Sequence, residues 1–275
     1  MNGHIYHQLM LTGAGNHFLR GGDVSGFWPN ADAYRFDKSC EFRTPPQAGG
    51  AKDDFPLVAA DPLAWFAGLK AYAVGLRLIH AKRARGPDQQ LEVADRMLAG
   101  MVGGGARWLV EVVGKDQCEF WEGFERVGDQ KDPERKIWLW TNIRIGGCSR
   151  QEADSDVSPL TLEGAVAQLR AALVEIEAYA RQDKYDNFAD IFREAIRGLD
   201  SHGGDRSTAW PEANYADFDR RQMQVLASMG HASVFGGMGS WNDLGGGEEY
   251  DRVSQALYEA LNDCAVALAN STFRD

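Results

Sequence analysis

A change of period near residue 150 constrains this chain more than any other feature. Before it, Arg107–Val113 (RWLVEVV), Cys118–Glu122 (CEFWE) and Lys136–Ile145 (KIWLWTNIRI) alternate in β-branched and aromatic residues, the pattern of half-buried strands. The short connections between them predict an antiparallel meander. In the third strand Ile137, Leu139, Thr141, Ile143 and Ile145 share one face, and Trp138, Trp140, Asn142 and Arg144 the other. After residue 160 the apolar spacing becomes three or four. Thr161–Arg181 carries Leu162, Val166, Leu169, Leu173, Ile176 and Ala180; Asn187–Leu199, Asp217–Met229 and Glu248–Asn270 repeat the pattern. Such stripes are best buried against one another as a small helical bundle. The polar run from Gly146 to Pro159 separates the two patterns. The expectation is an α+β protein: residues 1–150 holding helices and the meander, residues 151–275 an acidic helical region, the two forming either separate domains or one cooperative unit.

Upstream of the meander, His4–Leu11 reads as a strand and residues 1–60 otherwise as ordered loop, since Phe18, Phe27, Trp28, Tyr34, Phe36 and Phe42 are too apolar for a free linker. Asp61 as N-cap and Pro62 at the first helical position predict a helix over residues 62–81. A second helix is expected over Asp88–Met101.

Charge divides at the same place. Residues 1–150 hold 19 basic and 18 acidic side chains, residues 151–275 hold 10 and 22, so nearly all of the net charge of −11 lies in the second part. That field repels phosphate backbones and favours a basic partner. A 44% hydrophobic and 25% charged composition excludes disorder and collagen-like repeats. The opening residues, MNGHIYHQLM, lack the basic and apolar run of a secretory leader. The most apolar stretch, Pro62–Ala81, is broken by Lys70 and Arg77, so no membrane span is expected. Cys40, Cys118, Cys148 and Cys264 form no CxxC pair and read as reduced thiols of a cytoplasmic protein.

The candidate chemical motifs are incomplete. His4 and His7 are spaced like metal ligands but lack a second pair, and Asp154 with Asp156 lacks the rest of a calcium loop, so no metal and no cofactor are expected. GAGN at 13–16 and GGG at 103–105 lack the rest of a dinucleotide or phosphate loop and read as turn glycines. Gly237–Ser240 does not form a nucleophile elbow. Cys148 with His231 remains as a distant thiol–imidazole pairing without local support.

The most distinctive segment is His231–Glu249 (HASVFGGMGSWNDLGGGEE), glycine-rich and set between two helices. Ser240 and Asp243 fit a capping box, and Glu248 and Glu249 fall in the first turn of the last helix. Two readings compete: a structural connection with Trp241 plugged into the core, or a loop presenting Trp241, Asn242, Asp243, Glu248 and Glu249 to a partner. The VFGGMGSWND block, with LRAALVEIEAYARQDKYDNFADIFREAIRGLD before it, resembles bacterial proteins that include immunity proteins of toxin systems. The resemblance covers roughly residues 160–270 and implies a protein that binds and neutralises a toxin. The alternative is an enzyme acting on a small polar substrate in a cleft between the two regions.

Overall fold

The computed structural model describes residues 3–46, 55–81, 94–102, 105, 107–155, 160–201, 213–236 and 239–274. Their centre is a six-stranded sheet formed by β1 (Asp37–Arg43), β2 (Leu57–Ala59), β3 (Ala73–Ala81), β4 (Arg107–Gly114), β5 (Gln117–Val127) and β6 (Trp138–Ser149), in the order β2-β1-β6-β5-β4-β3. Strands β3 to β6 form an antiparallel meander; β1 then joins β6 in parallel, and β2 closes that edge antiparallel to β1. The helices are α1 (Gly3–Leu19), α2 (Phe27–Asn30), α3 (Pro62–Leu69), α4 (Asp95–Leu98), α5 (Arg150–Ser155), α6 (Leu162–Gln182), α7 (Asp186–Asp200), α8 (Arg220–Ala232) and α9 (Glu248–Asn270). The expected α+β class is therefore correct.

One face of the sheet is the floor of the core. Leu76 and Leu78 of β3, Trp108, Val110 and Val112 of β4, Trp121 of β5, Trp140 and Asn142 of β6, and Cys40 and Phe42 of β1 are all buried there. In β6 it is thus the aromatic and polar face that is core, while Leu139, Thr141 and Ile143 are half-buried. Helix α1 lies on β3 and β4, with α9 alongside it. Buried side chains from both sides of residue 150, among them Leu9, Val110, Leu169, Phe192 and Leu257, join in one contiguous cluster.

Three expectations are corrected. His4–Leu11 is not a strand but the first half of α1. That helix is buried on every side from His7 to Asn16, so it carries no polar stripe to reveal its period. The glycines of GAGN are not turn residues: both lie inside α1, where a Cβ on Gly13 would come within 2.6 Å of the Ala216 methyl, and they let neighbouring chain approach the helix. The helix expected over residues 62–81 ends at Leu69, and Ala73–Ala81 is an edge strand. Burial of both its faces from Gly75 to Leu78 removed the alternation that marks a strand. The start of Asp88–Met101 lies outside the described residues; within them only Asp95–Leu98 is helical.

The C-terminal helices follow the apolar stripes closely. Thr161 caps α6 by accepting from Gly164 N, and Asp219 with Gln222 forms a capping box that starts α8 at Arg220 rather than at Asp217.

The free edge of β3 shows how the helical layer is fixed to the sheet. The Asn16 side chain accepts from Leu76 N (2.7 Å) and donates to Leu76 O (2.9 Å); Asn270 does the same for Leu78, at 2.6 and 3.1 Å. Two amides, one from α1 and one from the end of α9, thus replace the next strand and block edge pairing. Asn16→Leu should destabilise the protein by about 1–3 kcal/mol, because it strands buried backbone groups of Leu76. Chemical denaturation checks this; a cost within about 0.5 kcal/mol of zero, the range of an ordinary surface substitution, would refute the edge-clamp role.

Candidate functional site

Trp241 sits in a short 3-10 turn, Trp241–Asp243, and its side chain is fully buried. The indole is stacked on Tyr250 at 5.3 Å and met edge-on by Phe188 (5.2 Å), Phe192 (5.3 Å) and Tyr185 (5.8 Å). Its Nε1 donates to Ser254 Oγ at 2.7 Å, and the Tyr250 hydroxyl donates to the Trp241 carbonyl. Of the two sequence readings, the plug is the correct one. Trp241 offers no surface to a partner, because α7 and α9 close around it with the one hydrogen bond an indole can donate already made.

The rest of the motif forms a clasp. Gly239 has φ +79°, a conformation that favours glycine, and the Asp243 carboxylate accepts from the backbone N–H of Gly239 (2.5 Å) and Ser240 (3.2 Å). Asn242 donates to Arg96 O at 2.8 Å and accepts from the Arg96 guanidinium at 3.3 Å. That guanidinium, itself buried, also pairs with Asp251 and lies 5.7 Å over the Tyr250 ring. Asn242 therefore acts mainly inward, holding α4 to the start of α9.

The exposed part of the expected site is acidic. Asp243, Glu248 and Glu249 are all exposed at this end of α9. Because Tyr179, Tyr185 and Phe188 converge on Trp241, the corner between α6 and α7 lies beside them and adds exposed Asp183 and Asp186. Arg252 links Glu249 (2.9 Å) and Glu175 (3.0 Å) on neighbouring helices. Its hydrogen bonds hold the Glu249 carboxyl below its usual range, so that group is ionised at neutral pH. Glu248 has no ion pair among the described residues. The contribution of residues 183–190 was missed in the sequence, since only packing around Trp241 brings them near.

No family model, curated protein or solved structure matches the chain. Assignment of a role therefore rests on the geometry of its own surfaces and hollows.

A hollow of about 1100 Å³ opens between β3, β4 and β6, helix α5 and the facing ends of α6 and α9. Ile79, Leu109, Phe120 and Ile145 supply an apolar wall. At its polar end the buried Arg77 guanidinium makes two bonds to Glu111 (2.8 and 3.0 Å) and one to Asp154 (2.8 Å). Hydrogen bonds from Arg150 first, and then from Arg77, keep Asp154 below the usual carboxylate range. A second hollow, of about 480 Å³, is lined by Tyr6, Asp32, Trp138 and the buried His7–Asp37 pair. The His7 ring stacks on Trp140 at 3.9 Å, and burial, then the neighbouring His7, lower the pKa of His4 to about 4. The two histidines are thus built into the contact of α1 with the sheet. No group of three potential metal ligands is present among the described residues, and none of their helices is long and apolar enough to cross a membrane.

No disulfide joins the four cysteines, of which Cys40, Cys118 and Cys264 are buried and Cys148 is half-buried. Burial raises the pKa of Cys40 strongly and that of Cys264 to about 12; burial, then Glu111, raises Cys118 to about 11. Such thiols are poor nucleophiles at neutral pH.

Proposed function

We propose that this protein binds a basic protein partner through the acidic corner formed by Asp183, Asp186, Asp243, Glu248 and Glu249, and that it acts as a bacterial immunity protein neutralising a cognate toxin. The observation that carries the proposal is that these exposed carboxylates are borne by elements packed around one buried aromatic cluster. Arg181 pairs with Asp186 at 3.1 Å and Arg252 with Glu249 at 2.9 Å, and with Lys184 they leave the corner net negative; a preorganised patch of that net sign steers a basic partner and limits the ordering cost of association. An enzyme acting on a small polar substrate is the second reading, favoured by the hollow at Arg77. It ranks lower because Arg77, Glu111 and Asp154 are bonded to one another.

The test is affinity capture from the native host, comparing the wild-type protein with the Glu248→Lys, Glu249→Lys double variant. The expected result is a basic protein retained by the wild type at 50 mM salt and lost at 500 mM, since screening shortens the reach of surface charge from about 14 Å to about 4 Å. The variant should associate at least tenfold more slowly while its thermal transition stays close to that of the wild type, apart from a helix-dipole cost of about 0.3–1 kcal/mol per residue. Co-expression with the captured protein should relieve any growth arrest that the latter causes. A partner bound with no salt dependence, or equally well by the variant, would refute the acidic-corner proposal.

A further inference from the structure

The irregular gaps between the cysteines conceal a close pairing. In the antiparallel ladder of β5 and β6, Cys118 stands directly opposite Cys148. Directly opposed residues share a face of the sheet and have Cα atoms about 4.5–5.5 Å apart, inside the range of about 4.4–6.8 Å that a disulfide spans. The register is unbroken through the flanking pairs Gln117–Ser149, Glu119–Gly147 and Phe120–Gly146, the bulge falling only beyond Phe120. Both side chains belong to a small cluster with Val113, Ala153 and Phe273, apart from the main core. Access differs between them: Cys118 is buried, whereas Cys148 is half-buried and lines the 1100 Å³ hollow.

From this geometry we infer that Cys118 and Cys148 form an oxidisable dithiol site, reached through the hollow by a small disulfide such as oxidised glutathione. The Cys148 thiolate attacks one sulfur of that disulfide, giving a mixed disulfide and releasing one glutathione thiol. The Cys118 sulfur then attacks Cys148 sulfur, closing the cross-strand bond and releasing the second glutathione thiol. Two protein thiols are oxidised, one disulfide is reduced to two thiols, and the two protons leave on the released thiols. Cys118 is placed for the second step by register: it is buried from the oxidant and stands directly opposite Cys148, so proximity to the mixed disulfide offsets its raised pKa when its proton is lost. Closure ties β5 to β6 immediately before α5 and withdraws one thiol from the wall of the hollow. Cys40 and Cys264 lie in the main core and take no part.

The experiment is incubation of the folded protein with oxidised glutathione, followed by alkylation of remaining thiols, intact mass and peptide mapping. The wild type should lose about 2 Da, fall from four free thiols to two, and yield a peptide linking Cys118 to Cys148. Cys148→Ser should keep its remaining thiols and gain no mass. Cys118→Ser should stop at the mixed disulfide, about 305 Da heavier. If that buried substitution prevents folding, the wild-type peptide map and Cys148→Ser still decide the matter. A wild type that keeps four thiols, stops at a glutathione adduct, or pairs Cys40 or Cys264 instead would overturn the inference.

Discussion

Trp241→Ala should destabilise the protein by about 3–5 kcal/mol, the usual cost of emptying a large aromatic site in a core. Two contributions add. The cavity removes the contacts of the indole with Tyr185, Phe188, Phe192 and Tyr250, which reach it from two helices and so cannot all move to refill the space. Loss of Nε1 also leaves the buried Ser254 hydroxyl without that partner. Trp241→Phe should cost less, because the ring is retained and only the hydrogen bond and part of the volume go. Urea denaturation of the three proteins measures both steps. For a chain of this kind, 3–5 kcal/mol is a large fraction of a total stability of about 5–15 kcal/mol, so the Ala variant should be recovered only in part at 37 °C. A cost below about 1 kcal/mol would mean that the turn can leave the core, restoring the reading in which Trp241 meets a partner. The acidic corner and the plug are thereby separable: substitution at Glu248 and Glu249 changes association, whereas substitution at Trp241 changes folding.

Most of the legible parts of this fold are those in which one face of an element meets water. Helices α6 and α9 have alternating buried and exposed sides, and their apolar spacing in the sequence places them within a residue or two of their observed limits. Strands β5 and β6 were legible from their alternation, whereas β4, buried on both faces beyond Arg107, was legible from its run of β-branched and aromatic residues. Helix α1 and strand β3 were not, because they are enclosed from both sides and an enclosed element has no contrast from which to read a period. The parallel placement of β1 against β6 is also silent in the sequence, since it depends on how α1 crosses the sheet and not on any local turn. The site divides in the same way. Glu248 and Glu249 were visible as first-turn carboxylates, a local property. The inward roles of Asn242 and Trp241 depend on Arg96 and on α7, which are distant in sequence. The opposition of Cys118 and Cys148 depends on strand register alone.

Register likewise creates a demanding electrostatic contact between Arg77 and Glu111, and single substitutions there should be costly. Arg77 on β3 stands opposite Glu111 on β4, and both are nearly inaccessible, at 7% and 2% side-chain exposure. Arg77→Met should destabilise by about 3–5 kcal/mol, because it leaves the Glu111 carboxylate buried without its cation. Glu111→Leu should cost less, since the guanidinium keeps Asp154, which lies partly in solvent, and the Phe273 ring 5.6 Å away. The double variant Arg77→Met, Glu111→Leu removes both charges and fills similar volume, so it should recover much of the loss and lie within about 1–2 kcal/mol of the wild type. A denaturation cycle over the four proteins gives the coupling directly. Near-additive costs would show that the two charges are each solvated separately through the hollow, and the pair would then be free to receive a ligand. Strong coupling would instead mean that the polar end of the hollow is closed by its own ion pair, leaving its apolar wall and Cys148 as the parts open to small molecules.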